Sequence, residues 1–339
     1  MQRHLDPERG RYLPAVTSEA FLLRVGEPLG EGLQRLSVSQ LESAVHSLRD
    51  RGDDVDEAVH EARKALKRLR AILRLVRAEI GDKAYRYENR TLRDAGRLIS
   101  EVRASAVTVE TVTGLAARFE GSLPIDVFDD LGERLDERAL RIRRRVIHES
   151  DAVDRVIATL ERARARFSGW PVGETEKRVY GSAIRNSYKA IAPGLEQTYG
   201  RGRGEMKQAL RRPTARNFHL WRKRVKYLRH QVELLYPLWP EVMDANAAAL
   251  DRLGAILGEE HDLAELLSLL SVNPDLCPDA VDRALFAALA QHRRAELQRA
   301  AQILGTRVYA EKPGRFVARI GSYWDATRIP IDVGMMIEA

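Results

Sequence analysis

One pattern, His-x-x-Arg-Lys-x-x-Lys-x-x-Arg, occurs twice in this chain and constrains its fold more than any other feature. It runs from His60 through Arg63, Lys64 and Lys67 to Arg70, and again, 159 residues on, from His219 through Arg222, Lys223 and Lys226 to Arg229. At about 100° per residue, Ala62, Leu66, Leu69, Leu73 and Val76 form an apolar stripe, with Arg63, Lys67, Arg70 and Arg74 as a cationic stripe beside it. The second copy sets Trp221, Val225, Leu228, Val232 and Leu235 beside Arg222, Lys226 and Arg229. His60 and Lys64 flank the first cationic stripe, and His219 and Lys223 the second. Apolar stripes recur in any two amphipathic helices, but charged residues recurring at the same phase do not follow from amphipathicity. The chain is therefore expected to hold one helix twice, in two related halves.

The charge is as local as the pattern. Of 339 residues, 56 are Lys or Arg and 49 Asp or Glu, a net charge of +7. Residues 60–77 carry seven Lys/Arg and one acid, and residues 216–230 carry six Lys/Arg and no acid, so the remainder is net acidic. A single basic stripe is ordinarily a solvated helix face. Two in phase on an otherwise acidic chain point to a polyanionic partner. With 44% hydrophobic and only 6% aromatic residues, the chain has apolar mass for a core and a composition leaning to helix. It has no run of about 18 uncharged apolar residues, and its first residues lack the apolar core of an export signal. Cys277, the only cysteine, excludes an internal disulfide and a cysteine-based zinc site. The reading is an all-α, cytoplasmic protein with no membrane association.

Punctuation divides the chain further. Residues 1–28, with Pro7, Gly10, Pro14, Gly26 and Pro28, read as an irregular extension. The first half, 29–170, is predicted to contain helices at 29–48, from Asp54 through the first basic segment, at 84–113 between Gly81 and Gly114, and at 126–167 with a break near 148–151. Ser168 to Gly173 reads as the link. The second half, 171–325, is predicted to follow the same order: a helix at 176–210 kinked at Pro193-Gly194, the basic helix from near Thr214, then 241–272, 280–310 and a short helix through Tyr323. Residues 326–339 form a tail. Four helices per half suggest two pseudo-twofold-related four-helix bundles, with both cationic stripes facing a shared groove.

The segments Val59-His60-Glu61-Ala62-Arg63-Lys64-Ala65-Leu66-Lys67-Arg68-Leu69-Arg70 and Phe218-His219-Leu220-Trp221-Arg222-Lys223-Arg224-Val225-Lys226-Tyr227-Leu228-Arg229 resemble the paired helices of the CHAD domain (conserved histidine α-helical domain) family. Tyr199-Gly200-Arg201-Gly202-Arg203 and Tyr309-Ala310-Glu311-Lys312-Pro313 resemble two further family segments, so the likeness spans residues 29–325. It implies two four-helix bundles around a basic channel or groove that binds inorganic polyphosphate, and an association with polyphosphate granules. Some members are fused to a triphosphate-tunnel domain, whose Glu-x-Glu-x-Lys strand has no counterpart here; Glu174-Thr175-Glu176-Lys177 has the wrong spacing. Two departures stand out. Glu233 takes the place that Arg74 holds in the first half, and Arg103-Ala104-Ser105-Ala106 replaces an acidic pattern of which the second half keeps His261-Asp262.

The residue types suit that polymer. Polyphosphate is a flexible anionic ribbon with no base edges to read, and a helical stripe offers it a cation roughly every 5–6 Å. Arg63, Arg70, Arg74, Arg222 and Arg229 supply forked donors, and Lys64, Lys67, Lys223 and Lys226 mobile point charges. His60 and His219 are candidate donors that would gain charge below about pH 6.5. Arg201, Arg203 and Lys207, beside Gly202 and Gly204, are weaker candidates where backbone could approach the ligand.

Other readings compete. Trp221 and Tyr227 are expected to pack rather than stack on bases. Arg141, Arg143, Arg144 and Arg145 fit either a solvated face or an outer part of the binding surface. His261 and Glu265 lack a third converging metal ligand. No catalytic or cofactor motif is present, so a non-catalytic binder leads. A nucleic-acid-binding helical protein and a metal-dependent phosphohydrolase are the alternatives.

Overall fold

A computed structural model describes residues 21–24, 26–52, 54–120, 125–170 and 184–327. Among them the chain is all-α, with eleven α-helices and no strand. In chain order these are α1 (Leu29–Arg49), α2 (Val55–Leu75), α3 (Arg77–Leu98), α4 (Ser100–Arg118), α5 (Ile125–Ile147), α6 (Ala152–Ser168), α7 (Ala192–Arg211), α8 (Ala215–Leu234), α9 (Pro240–Val272), α10 (Ala280–Val308) and α11 (Pro313–Ala326).

The two basic helices start where their caps place them. The Asp54 carboxylate accepts from the Glu57 amide at 3.0 Å, and the Thr214 hydroxyl from the Asn217 amide at 3.3 Å. Each satisfies an amide that the first helical turn leaves unpaired.

Two expected elements differ. The helix at 84–113 is two helices, α3 and α4, meeting at Ile99. Gly81 sits inside α3 at φ 78°, a conformation open to glycine, and bends its first turn; Gly114 lies within α4, which runs on to Arg118. Pro193 does not kink a longer helix but occupies the first turn of α7, where its missing N–H costs nothing. The predicted start of that helix, 176–183, lies outside the described residues. The break near 148–151 is present and separates α5 from α6.

Two apolar cores hold the helices. The larger joins α1, α2, α3 and α6 to α7, α8, α11 and the first part of α9 through residues such as Leu33, Leu69, Leu160, Tyr199 and Trp221. The smaller packs Val112 and Leu115 of α4 and Phe128, Leu131 and Leu135 of α5 on Leu266, Leu270, Phe286 and Ala290 of α9 and α10. Residues 21–24 dock on the larger core. Phe21 is fully buried beneath the Arg68 guanidinium, 4.8 Å away, and the Leu23 amide donates to the Leu234 carbonyl at 3.2 Å.

No helix among the described residues is long and apolar enough to cross a membrane.

Candidate functional site

The contact between α2 and α8 is fixed from beneath. Arg68 of α2, buried, donates to Glu233 of α8 at 2.8 Å, and Glu233 also accepts from Arg229 at 2.7 Å. Gln231 donates to the Ala71 carbonyl at 3.1 Å. Burial alone would raise the Glu233 carboxyl; the His230 hydrogen bond and the charges of Arg68 and Arg229 instead hold it down at about 2. An ionised, fully partnered carboxylate therefore clamps the two helices with their cationic stripes on one side.

On that side lie two adjoining cavities of about 360 and 540 Å³. Arg63 and Lys67 from α2 and His219, Arg222 and Lys226 from α8 line both. The smaller extends over α3, where Arg70, Arg93, Arg97 and Lys223 join it. The larger extends towards α4, α5 and α9, adding His60, Arg103, Arg138, His261, Asp262 and Glu265. Arg63 is steadied by donating to the Gly96 carbonyl at 2.7 Å, and Arg70 by donating to Asn89 at 3.1 Å. Lys67, Arg222 and Lys226 form no ion pair among the described residues.

Crowding of like charge, with little water to screen it, perturbs the titrating groups. Burial first, then Lys226, Arg63, Arg222 and Arg103, pulls Lys67 down to about 7. Burial and Arg222 pull Lys226 down to about 8, against Asp251 and Asp262. His219 and His261, rings 4.2 Å apart, are held by burial and neighbouring cations at about 4 and about 3. Burial also lowers His60. His219 and His261 are thus neutral donors across mild acid, and His60 is moved in the same direction, which corrects the expectation that His60 and His219 gain charge near pH 6.5.

Eight of the fourteen sequence candidates line this space: His60, Arg63, Lys67, Arg70, His219, Arg222, Lys223 and Lys226. The other six lie outside its lining. Lys64 pairs with Glu61 at 3.0 Å. Arg74 stacks 3.7 Å over the Tyr227 ring and donates to the Arg70 carbonyl. Arg229 belongs to the Glu233 clamp and reaches Asp251 at 3.4 Å. Arg201 and Lys207 are exposed on α7, and Arg203 donates to the Tyr309 carbonyl at 3.2 Å. The close approach that Gly202 permits is to the Tyr309 ring.

Trp221 is fully buried and Tyr227 nearly so. Of the α5 arginines, Arg143 pairs with Asp56, Arg145 with Glu101 at 2.6 Å and Arg141 with Glu137 at 3.6 Å. His261 and Glu265 stand 3.9 Å apart, and no three His, Cys, Asp or Glu among the described residues are grouped to hold a metal ion.

Residues 35–271, well over half of the chain, match the family model of the CHAD domain. The chain belongs to the CHAD domain family. The crystal structure of the CHAD domain from the plant Ricinus communis superposes with a TM-score of 0.59 at 20% identity, covering 84% of this chain and 94% of that one. PptA from Streptomyces chartreusis superposes with a TM-score of 0.58 at 15% identity, covering 84% of this chain and all of that one. At such identities the likeness is one of fold. No curated protein sequence matches the chain.

This CHAD domain also brings to its cavities cations that the repeat could not reveal. Arg93 and Arg97 had a signal, since with Arg86 and Arg90 they form a cationic row at helical spacing on α3. Arg138 had none, because it follows Asp136 and Glu137 and only packing turns it inward, while Arg103 stood out in sequence only as part of a departure from the family pattern.

Proposed function

We propose that this CHAD domain binds inorganic polyphosphate, without catalysis, in a groove formed where the two cavities run together. In this reading residues 29–170 and 171–325 are duplicated four-helix units related by a pseudo-twofold axis, each supplying one cationic ridge. The protein would then act in the cytoplasm as a targeting module or scaffold for polyphosphate granules.

The observation that carries the reading is the set Arg63, Lys67, Arg222 and Lys226, drawn from both repeats and facing one space. Cations withdrawn from water without a full set of carboxylates are costly, and an entering polyanion removes that cost. Arginines offer forked donors to phosphate oxygens, while lysines accommodate a chain of variable register. Within the basic helices Trp221 is buried and Tyr227 is covered by Arg74, so neither offers the open aromatic platform that single-stranded nucleic acids use. This favours a ligand without bases.

The test is a titration with long-chain polyphosphate, single-stranded DNA, RNA and ATP at matched phosphate concentration. Polyphosphate is expected to bind most tightly, and charge reversal in K67E/K226E to weaken it far more than R143E/R145E. Equal affinity for all four ligands would remove the proposal, and equal losses in the two double variants would place the site elsewhere. Phosphate release with Mg²⁺ would turn the reading to an enzyme.

A further inference from the structure

We infer that polyphosphate binding at this site is proton-linked, Lys67 and Lys226 taking up protons as the polyanion enters and releasing the polyanion as they lose them. This rests on the polyphosphate reading above.

Position comes first. Lys67 of α2 and Lys226 of α8 line both cavities, so a ligand in either one meets both amines. Neither amine has a carboxylate ion pair among the described residues. On their own helices they face His60, Arg63, Arg70, His219, Arg222 and Lys223, and the Arg229 charge also acts on Lys226. From α3 come Arg93 and Arg97, from α4 Arg103, Glu101 and Glu110, and from α5 Arg138. From α9 come Asp251, His261, Asp262 and Glu265. Neither α1 nor α7 contributes a charged group to the lining. Arg103 is already matched by Glu110 at 2.8 Å, and burial raises the Asp262 carboxyl, which weakens the one acid that acts on Lys226 from within the cavity.

In this surrounding an arginine stays charged, whereas a lysine can shed its proton and relieve the repulsion. Burial and the neighbouring cations bring Lys67 to about 7 and Lys226 to about 8, so near neutrality the empty site is part-discharged. A phosphate chain laid against both amines supplies the missing negative charge and returns each towards the ordinary lysine range. The lysines then hold more protons in the complex than in the free protein, so affinity falls as pH rises. Between about pH 7 and pH 9 the loss should reach about a hundredfold, the internal phosphates of the chain being ionised throughout. His219 and His261 titrate far below this window and do not add to it.

Calorimetry with long-chain polyphosphate, at constant ionic strength and in buffers of different ionisation enthalpy, counts the protons directly. About one to two per site are expected near pH 8. Binding without proton uptake overturns this inference alone, and no binding at any pH overturns the polyphosphate reading with it. The double variant K67R/K226R keeps both charges and cannot lose them, so its affinity should stay level from pH 7 to pH 9. A native slope in that variant would assign the titration to other groups. Competitive acetylation of the free, native protein with acetic anhydride across pH reads the amines without any ligand, and ordinary lysine titration of both would also overturn the inference.

Discussion

Glu233 shows how little a residue's phase on a helix decides its work. It occupies the position that Arg74 holds in the first repeat, yet it is the buried anion that binds Arg68 and Arg229 and sets the two basic helices side by side. Its substitution E233Q should cost about 3–5 kcal/mol in urea unfolding at neutral pH, because Arg68 would remain buried without its counter-charge. A loss under about 1 kcal/mol would show the clamp to be dispensable. The sign with pH follows from its lowered carboxyl: its stabilisation is complete above the unfolded value near 4.5 and drains away as the pH falls towards about 2. Lys67 and Lys226 were legible in the sequence because the repeat superposes them. Arg74 and Arg229 were legible only as members of a stripe. A stripe climbs about 1.5 Å per residue, and these two have climbed past the cavity to partners that the repeat does not encode. The inward aim of Arg103 and Arg138 was invisible because it is a property of packing.

Among the elements, the helices carrying the repeat were readable at their starts, where the caps Asp54 and Thr214 and the apolar stripes agree. The separate identities of α3 and α4 were not, because no proline marks the interruption at Ile99 and the nearest glycine, Gly96, lies inside α3 rather than at the break. Gly194 illustrates a contact of the same hidden kind. A methyl group there would collide with the Arg74 and Leu75 carbonyls where α7 crosses the end of α2, and backbone cannot swing aside as a side chain would. The G194A variant is expected to lose about 1–3 kcal/mol in thermal unfolding. G204A, on an exposed stretch of the same helix with nothing near its Cβ, should instead gain about 0.5–1 kcal/mol. Equal effects at the two positions would mean that the α2–α7 crossing is loose.

At the scale of the whole molecule, charge is spent unevenly. Many surface arginines are matched by a nearby acid, as Arg293 is by Glu259 and Arg319 by Glu311, whereas the cations between α2 and α8 await an external partner. Polyphosphate binding is therefore expected to weaken steeply with salt: log Kd against log salt concentration should be linear, with a slope near the number of phosphates engaged, by analogy with nucleic acids. A slope near zero would mean that ions are not released and that the cavity is not the site. The interleaving of the two cores has a further consequence, for synthesis. When α4 and α5 leave the ribosome, Val112, Leu115, Phe128, Leu131 and Leu135 have only one another, for the rest of their core arrives with Leu263 to Leu297, well over a hundred residues later. A nascent chain thus carries an unshielded greasy seam through much of its translation, and a message truncated before α9 yields a product that can close neither core.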